Sequence, residues 1–449
     1  MKKSIVFAAL MLCGMTQQVC AQSWLEKLGK GLDAVSNALS GGNNDGNNAA
    51  DNEPKADESS ITTASGTATV RTVHETAATK TMVLDGGVKW LRSFSCGRAV
   101  VCWKKGWFVI DKQGNKVFDL PLGYELPGYE VNYIGDVSGY DNDYDSNRLL
   151  VYSKSKKHVI IFDENGNMVK EFSDVAQAST FLNGVAFIMK KEKKAGSWSD
   201  DEVWYHIDVN GNVLSNTMPV SKSTSRDFRL YPTKEGLSPV FVIRDNHGWW
   251  GYRDEKCQWA IQPDFSGFGA NDGGAFYNGL SRAMNTDNKW GFIDHNGQWV
   301  IQPMYTNRPG NFYTGVALVT DKSKRSYFID KTGKFVWSEP QPTNVRIDEF
   351  MTTGYAIWKY YDDGFYLVDS SFKKHAKLNF GINRVRTYND RYFQCDVDYD
   401  GEDRLVDWNG NVLMKFYADA PFCDGMCYHS NYYFNEQGEI VIKFEDTQF

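Results

Sequence analysis

The side chains able to do acid–base or metal chemistry are scattered along this chain rather than gathered into one motif. Its seven histidines show no His-x-x-x-His spacing, the pattern that holds a metal on one helix face. The sequence also has no Gly-x-Ser-x-Gly elbow and no glycine-rich phosphate loop that ends in Lys-Ser or Lys-Thr. We therefore assign no catalytic residue, no cofactor site and no metal site from the sequence.

One acidic run has the spacing of a calcium-binding loop. Asp396, Asp398 and Asp400 alternate along the chain and are followed by Gly401. Carboxylates at alternate positions converge on one hard cation when such a loop curls. The last position of a calcium loop is normally Glu, whereas here it is Asp407, which already belongs to a repeated turn. A calcium loop and a solvated acidic hairpin both remain open.

An Asp or Asn recurs nine times along the chain, at spacings of 28 to 52 residues. In most copies it begins an Asp-x-x-Gly sequence, where the carboxylate can accept from the backbone ahead and glycine supplies a positive φ. We interpret these acids as turn formers rather than as acid–base catalysts. The nine positions are Asp111, Asp163, Asp208, Asp254, Asp294, Asp330, Asp369, Asp407 and Asn435.

A second marker, Phe-x-x-Gly, opens several of the same units. After it, a short strand such as Val316–Val319 leads through a polar turn into an aromatic and β-branched strand that ends at the Asp. A further strand follows and often ends in Gln-Pro, where proline forbids continued pairing. Each unit is thus predicted to be an antiparallel meander of three to four strands, which must stack on its copies to bury both faces.

The clearest copy lies between Phe276 and Tyr305. It contains Phe-x-x-Gly, then Trp290-Gly291-Phe292-Ile293-Asp294, then Val-Ile-Gln-Pro-Met-Tyr. This pattern resembles the WG (also called KWG) repeat of bacterial proteins. The resemblance is tight over 246–305, fair to about 370 and degenerate at both ends. It implies a propeller-like fold and brings no assigned activity with it.

The repeats set the predicted architecture. Nine units over residues 82–449 give about 41 residues each, close to the length of a propeller blade. We predict an all-β protein, a β-propeller of seven to nine three- to four-stranded blades. An open β-solenoid is the alternative.

The region before the repeats divides into three segments. Residues 1–21 are a predicted signal peptide, with basic Lys2 and Lys3, an apolar stretch and cleavage after Ala21. Residues 22–42 are predicted to form a short amphipathic helix that could dock, dimerise or touch a membrane. Residues 43–81 are predicted to be a disordered linker, since they contain too few apolar residues to order themselves. Export places the protein in the periplasm or outside the cell.

Six cysteines remain after removal of the signal peptide. Cys423 and Cys427 lie four apart in a predicted strand, too far apart for a disulfide with each other. If the ring closes, the unit with Cys96 and Cys102 lies beside the unit with Cys423 and Cys427. A disulfide between these two units is one way in which the closure could be held.

Charge and aromatic content limit the function classes. The net charge of −7 argues against nucleic acid as the partner, and no apolar run after the signal peptide is long enough to span a bilayer. Tryptophans could stack on sugars or fill blade cores, and one of Trp249 and Trp250 should point outward because neighbours in a strand alternate. The other tryptophans considered for sugar stacking are Trp259, Trp290 and Trp299.

From these features we expect an exported, non-catalytic binding or scaffolding module that uses the loop surfaces of the propeller, with a protein or glycan partner and no cofactor. Two alternatives stay open. One is an enzyme whose active site is assembled in the central channel from distant residues, and the other is a dedicated glycan-binding protein. The oligomeric state does not follow from the sequence.

Overall fold

The structure is a computed structural model, and the residues described are 62–63, 66–67, 70–73, 78–127, 143–193, 200–215, 234–244, 247–267, 274–321, 323–337, 345–397 and 401–447. They belong to one compact unit, Ser60–Phe449. These ranges contain strands and turns without a helix, so the predicted all-β class is confirmed. No helix in them is long and apolar enough to cross a membrane. The predicted signal peptide and the predicted helix 22–42 lie outside the described residues.

Four short strands precede the repeats: β1 (Thr62–Thr63), β2 (Gly66–Thr67), β3 (Arg71–Thr72) and β4 (Lys80–Leu84). The first two pair with each other, whereas β3 and β4 pair with strands near the other end of the chain. β1, β2, β3 and the start of β4 fall within the range that we expected to be a linker. Backbone pairing orders these residues although they carry few apolar side chains.

The repeats form nine units, in which the third strand ends at the recurring Asp or Asn, or one residue before it, and the fourth strand follows the turn. Units 1 to 3 each have four strands. These strands are β5 (Val88–Leu91), β6 (Arg98–Trp103), β7 (Gly106–Asp111) and β8 (Lys116–Asp119) in unit 1, β9 (Tyr144–Asp145), β10 (Arg148–Ser153), β11 (His158–Asp163) and β12 (Met168–Ser173) in unit 2, and β13 (Val175–Ala178), β14 (Val185–Lys193), β15 (Asp200–Asp208) and β16 (Val213–Ser215) in unit 3.

Units 4 to 6 have three strands each, which correspond to the second, third and fourth strands of the other units. Units 4 and 5 share one six-stranded sheet through a single residue pair between Ser266 and Met284. The strands are β17 (Ser238–Arg244), β18 (His247–Arg253) and β19 (Trp259–Ser266) in unit 4, β20 (Ser281–Met284), β21 (Trp290–Ile293) and β22 (Trp299–Tyr305) in unit 5, and β23 (Val316–Thr320), β24 (Ser326–Asp330) and β25 (Phe335–Trp337) in unit 6.

Units 7 to 9 complete the ring, and the nine units make eight sheets besides the β1–β2 pair. The strands are β26 (Val345–Arg346), β27 (Tyr355–Tyr360), β28 (Gly364–Asp369) and β29 (Lys374–Leu378) in unit 7, β30 (Arg384–Tyr388), β31 (Tyr392–Asp396), β32 (Asp403–Asp407) and β33 (Val412–Phe416) in unit 8, and β34 (Met426–His429), β35 (Tyr432–Asn435) and β36 (Ile440–Asp446) in unit 9.

The ring is closed by the segment that precedes the repeats. β4 pairs in parallel with β36 over five residue pairs, and β3 pairs in parallel with β33 over two. Tyr433 and Ile442 of unit 9 pack with Val101 and Ile110 of unit 1 in one buried cluster. These contacts confirm the predicted propeller of seven to nine blades and reject the open solenoid.

Apolar clusters between neighbouring units form the core. Val100 and Val109 of unit 1, for example, pack against Leu149 and Ile160 of unit 2. The second and third strands supply most of the buried residues, as in the iBBBBi and iiBBBi burial patterns of β6 and β7. The joint between units 3 and 4 brings two polar groups together, because buried His206 lies close enough to Arg253 to feel its charge.

The recurring acids form the turns predicted for them. In unit 5 the Oδ1 atom of Asp294 accepts from the backbone N–H groups of Asn296 and Gln298, each at 2.9 Å. Gly297 N donates to the Asp294 carbonyl at 3.0 Å. All nine positions, including Asn435, accept the same two backbone bonds. We call this feature the Asp turn.

The glycine of the Asp turn has a second role that the sequence did not reveal. It lies against the fourth strand of the preceding unit, so closely that a Cβ on Gly166 would be 2.5 Å from Cγ of Phe118. Seven units share this contact, which therefore joins units as well as reversing the chain. The contacts are Gly114 with Ile442, Gly166 with Phe118, Gly211 with Lys170, Gly297 with Ile261, Gly333 with Ile301, Gly410 with Ala376 and Gly438 with Met414.

The Phe-x-x-Gly marker is a two-residue hairpin turn. In unit 1, Cys96 and Gly97 have φ values of 53° and 75°, and Ser95 pairs with Arg98 across them. Two successive positive φ values characterise the type I′ turn, which suits the twist of the flanking strands. The marker phenylalanine is buried each time, for example Phe94 and Phe276.

We expect Gly166→Ala to destabilise the protein more than Gly315→Ala. Both glycines have a φ of +85°, but nothing lies within 4 Å of a Cβ built on Gly315. The alanine at 315 should therefore cost only the left-handed backbone, about 1–2 kcal/mol, whereas the alanine at 166 adds overpacking against Phe118 of about 1–3 kcal/mol. Urea unfolding followed by circular dichroism measures both. Equal losses of unfolding free energy in the two variants would contradict a tight contact between Gly166 and Phe118.

Candidate functional site

The direction of the strands gives the ring two different faces. The second strand begins just after the Phe-x-x-Gly turn and the antiparallel third strand ends at the Asp turn, so both turns lie at one end of each unit. The hairpin between the second and third strands lies at the other end. We call the two ends the Asp-turn face and the hairpin face.

The Asp-turn face is occupied by bonds between units. Asp424 of unit 9 accepts from Gly97 N of unit 1 at 2.7 Å and lies 2.7 Å from Nζ of Lys112. Asp145 of unit 2 accepts from Gly184 N of unit 3 at 2.8 Å. Equivalent bonds recur around the ring, so polar side chains on this face hold neighbouring units together. The further bonds are Glu235 with Gly279 N, Glu349 with Asn311 N, Arg98 with the Glu164 carbonyl and Arg148 with the Val209 carbonyl.

The hairpin face presents exposed apolar side chains. Trp90, Leu122, Tyr361 and Tyr417 are 62%, 79%, 59% and 54% exposed. They lie in or beside the hairpins, or in the connections that lead from one unit to the next. The other large apolar side chains exposed in the described part of the chain lie on β4 and on fourth strands, at the edges of the sheets.

Trp90 begins an aromatic row across unit 1. The register places Trp90 opposite Cys102 and Cys102 opposite Trp107, so the three side chains share one face of the sheet. The two indole rings lie 6.1 Å apart at 32°. Cys102 is buried between these positions, and burial raises the pKa of its thiol. The exposed indole ring of Trp90 therefore packs beside the indole ring of Trp107.

A pocket opens on the same face at the seam between units 9 and 1. Its volume is ≈ 800 Å³, within the usual range of ligand pockets. Val83, Val88 and Phe444 supply apolar lining, and Asn431 and Lys443 are among the polar groups. Because β4 and β36 both contribute, the pocket exists only in the closed ring. We call it the seam pocket.

A buried charged network links units 8 and 9. Nη1 of Arg386 donates to Oδ2 of Asp403 at 2.6 Å and to the Ala418 carbonyl at 3.2 Å. Gln394 donates to the same Asp403 oxygen at 3.1 Å and accepts from Phe422 N at 2.8 Å. Burial raises the pKa of Asp403 to about 6, although Arg386 and Gln394 act in the opposite direction.

Asp403 matters for the enzyme alternative because a raised carboxyl pKa is a common sign of an active site. Its side chain is 2% exposed and its contacts are with the fold itself. The network ties the first segment of unit 9 to unit 8, so the perturbed group has a structural explanation. We therefore interpret Asp403 as part of the contact between units 8 and 9, and we do not propose it as a catalyst.

The turn acids are also committed to the fold. The Ser371 hydroxyl lowers the pKa of Asp369, and the Thr332 hydroxyl lowers the pKa of Asp330. Burial opposes this with a smaller effect, and the backbone N–H donors of each turn lower both pKa values further. These carboxylates are acceptors held in their ionised form, which agrees with the structural interpretation given to them.

The calcium-loop hypothesis falls only partly on described residues. Asp398 and Asp400 lie outside them, whereas Asp396 accepts from Nε of Arg384 at 2.8 Å. Within the described ranges, no three His, Cys, Asp or Glu side chains are grouped in a way that could hold a metal. Asp396 is thus placed in an ion pair, and the rest of the hypothesis is untested.

Two of the five tryptophans singled out from the sequence are buried in blade cores, and Trp299 packs against one. Trp250 and Trp290 are buried, whereas Trp249, Trp259 and Trp299 are half-buried. Trp249 and Trp250 point to opposite faces as expected, but neither is fully exposed. Sequence reasoning missed the exposed Trp90, because Val88-Lys89-Trp90-Leu91 has the alternation of an ordinary half-buried strand.

The six described cysteines form no disulfide. Cys427 is buried and its Sγ lies 3.1 Å from the Ala420 carbonyl, to which it donates. The closure disulfide considered from the sequence is therefore not formed. The β4–β36 pair and the bond from Gly97 N to Asp424 close the ring instead.

Comparison with known proteins identifies the repeat. A family model described as WG containing repeat matches residues 290–324, a stretch that begins with Trp290-Gly291 in unit 5 and ends in unit 6. The chain is a WG repeat-containing protein. The match covers the third and fourth strands of unit 5 and β23 of unit 6, and the Asp turns extend the same register through the other units of the ring. A search of curated proteins found no match.

The solved structures that match this WG-repeat protein are distant in sequence, at 8–10% identity. The computationally designed Ika8 protein is 10% identical, with 66% of this chain and 93% of that one covered and a TM-score of 0.37. BamB from Moraxella catarrhalis is 10% identical (72% and 94% covered, TM-score 0.34). Dipeptidyl peptidase 4 from Porphyromonas gingivalis is 8% identical (70% and 56% covered, TM-score 0.38). TM-scores this low carry no argument about function.

The buried network predicts a pH effect on stability. Because the folded-state pKa of Asp403 is raised to about 6, its contribution is fully present below about pH 4, the unfolded value, and is lost as pH rises through 6. Asp403→Asn removes this titration. Between pH 4 and 7.5 the unfolding free energy of the wild type should therefore fall by up to about 3 kcal/mol relative to that of the variant.

Urea unfolding at several pH values measures that difference. The attraction between Arg386 and the Asp403 carboxylate is already contained in the pKa of Asp403. Any further loss of packing in the variant should be the same at every pH and should not change the pH-dependent difference. The acids of the Asp turns are present in both proteins, so their effect on the pH dependence cancels in the difference. Parallel curves would show that Asp403 is ionised throughout.

Proposed function

We propose that this WG-repeat protein is an exported, non-catalytic binding or scaffolding module that engages a protein or glycan through its hairpin face. The observation that carries the proposal is the contrast between the two faces. Polar groups on the Asp-turn face bond to neighbouring units, whereas Trp90, Tyr361 and Tyr417 stand exposed on the hairpin face. Exposed aromatic side chains on a rigid frame are typical of recognition sites.

Loop length supports the same face. The Asp turn keeps one geometry in all nine units. Among the hairpins that the structure describes in full, those between second and third strands range from two residues in units 1 and 9 to five in unit 5. Variable loops on a constant frame are where binding sites commonly reside. The seam pocket lies at this face and adds a concave feature suited to a small group of the partner.

The binding test uses the protein from Gln22 onward and two matched triple variants. Trp90→Ala/Tyr361→Ala/Tyr417→Ala removes aromatic residues from the hairpin face. Met168→Ala/Val213→Ala/Phe335→Ala removes apolar side chains of similar exposure, 53–59%, from the Asp-turn ends of fourth strands. Each protein is offered to a cell-envelope extract and, in parallel, to a glycan array.

We expect the hairpin-face variant to lose at least about tenfold in captured partner or glycan signal, the typical effect of removing an aromatic hot spot, while the fourth-strand variant binds as wild type. Both should keep the wild-type melting curve. Loss in the fourth-strand variant alone would place binding at the sheet edges. Chemical conversion of the captured ligand would favour the enzyme alternative.

Export is tested separately. The predicted signal peptide implies that protein recovered from the periplasm or medium begins at Gln22. N-terminal sequencing of that protein decides the point. A chain that retains residues 1–21, or one found only in the cytosol, would contradict export.

A further inference from the structure

We propose that the hairpin of unit 7 binds a quaternary ammonium group, such as choline, in a corner between two tyrosine rings. This rests on the proposed function, since it names the ligand chemistry of one sector of the hairpin face. The hairpin joins β27 to β28 through Tyr361, Asp362 and Asp363. Tyr360 is the last residue of β27, and Tyr366 lies on β28. We call Tyr360, Tyr366 and Asp363 the tyrosine cage.

The two tyrosine rings stand nearly at a right angle. Their centroids are 5.3 Å apart and their planes cross at 78°. The Tyr366 hydroxyl donates to Oδ2 of Asp363 at 2.6 Å, which holds a carboxylate beside the rings. The face of an aromatic ring is negative and attracts a cation, and quaternary ammonium ligands are typically recognised by such aromatic cages. The cage therefore combines two aromatic faces with one anion.

A cation of the chain itself already occupies the cage. Nζ of Lys374 lies 3.8 Å from the ring centroid of Tyr360 and 4.0 Å from that of Tyr366. The same atom lies 3.4 Å from Oδ2 of Asp363. Both ring distances are well within the roughly 6 Å over which cation–π attraction acts. The cage thus has the shape and the charge that an ammonium ligand requires.

Lys374 is held weakly enough for a ligand to replace it. Its side chain is 41% exposed, and its flexible stem can carry the ammonium into water. Exposed cation–π contacts and exposed ion pairs are both weak. The carboxylate keeps a partner when Lys374 leaves, because Nζ of Lys377 lies 2.6 Å from Oδ1 of Asp363. The Lys377 ammonium also lowers the pKa of Asp363 to about 2, so this carboxylate is ionised when the ligand arrives.

The charges around the cage are balanced. Lys359 lies opposite Phe365, one position along each strand from the cage tyrosines, so its side chain is on the other face of the hairpin. Arg346 lies opposite Lys359 and forms an ion pair with Asp348 at 2.9 Å. A ligand cation takes the position that a lysine holds now, so the balance beside the rings does not change. The two acids and two lysines that balance one another there are Asp362, Asp363, Lys374 and Lys377.

The cage should prefer a quaternary ammonium to a primary one. A primary ammonium is compact and strongly hydrated, so it loses bonds to water when it enters the cage. The methyl groups of a quaternary ammonium make no hydrogen bonds and can contact both ring faces. We therefore expect choline to displace Lys374, whereas ethanolamine, the matching primary amine, has no advantage over the lysine already present.

The experiment measures binding of choline and of ethanolamine to the protein from Gln22 onward by isothermal titration calorimetry. We expect choline to bind at least about tenfold more tightly than ethanolamine. Tyr360→Leu keeps apolar bulk but removes one ring face, and it should weaken choline binding at least about tenfold. Lys374→Ala vacates the cage and should tighten choline binding about fivefold, the effect of removing one exposed competitor.

Lys359→Ala is the matched control for Lys374→Ala. It removes a lysine whose Nζ lies 5.1 Å from the ring centroid of Phe365, on the other face of the same hairpin. This control should bind choline as wild type does. Circular dichroism of every variant separates a folding defect from lost binding.

A further arm with phosphatidylcholine vesicles distinguishes two sources of the same chemical group. Flotation of the protein with these vesicles that Tyr360→Leu abolishes would identify a lipid head group as the source. Choline binding without flotation would identify a soluble ligand. Both results support the cage, because both depend on the quaternary ammonium.

Several outcomes would overturn the proposal. They are absence of choline binding to both wild type and Lys374→Ala, equal affinity for choline and ethanolamine, or unchanged or weaker choline binding in Lys374→Ala. Equal tightening in Lys374→Ala and Lys359→Ala would do the same, since it would reflect charge alone. If choline fails to bind while the variant of Trp90, Tyr361 and Tyr417 still loses its captured partner, the hairpin face remains a binding face and only the cage is excluded.

Discussion

Seven of the nine joints in the ring depend on a contact between the Asp-turn glycine of one unit and the fourth strand of the unit before it. A hydrogen atom is all that fits at this point, as the 2.5 Å separation between a Cβ on Gly166 and Phe118 makes plain. The turn must also place this residue at positive φ. Both demands select glycine, and together they fix how far each unit sits from the next. The contact recurs in seven units, and the distance from a Cβ at the glycine to the preceding fourth strand ranges from 2.5 Å at Gly166 to 3.5 Å at Gly333.

Two units lack this glycine, and their joints differ accordingly. Unit 7 has Phe372 at a φ of 64°, and its ring packs 5.1 Å from that of Phe328 in unit 6. Unit 4 has Cys257 at a φ of 58°, next to the joint where Arg253 approaches His206. Burial, with a smaller effect from Arg253, lowers the pKa of His206 to about 4, so this histidine is neutral at ordinary pH. At these two joints the larger turn residue is accommodated because different side chains line the neighbouring unit.

The sequence predicted what is local and repeated, and missed what depends on distant parts of the chain. The nine acids and the Phe-x-x-Gly turns were recognisable because a turn is determined by a few adjacent residues. β3 and the first two residues of β4 lie in the predicted linker 43–81, since Arg71-Thr72 has no periodicity and its partner β33 lies more than 300 residues away. Trp90 was overlooked for a similar reason. Its exposure depends on where β5 meets the hairpin of its unit and the connection into unit 2, which no local pattern encodes.

The closing strands also explain why the sheet edges differ. β33 and β36, covered by β3 and β4, have the alternating burial of half-covered strands, whereas the uncovered β12 is exposed or half-exposed throughout. In units 4 and 5 the fourth strands contain Pro263 and Pro303, which lack a backbone donor and so discourage further pairing beside them. Two edges are therefore covered by the chain and two fourth strands carry proline, while the polar groups of the Asp-turn face bond to neighbouring units. Among the described residues, the hairpin face alone combines loops of free length with exposed aromatic rings, so selection for a partner can act there without disturbing the contacts that hold the ring.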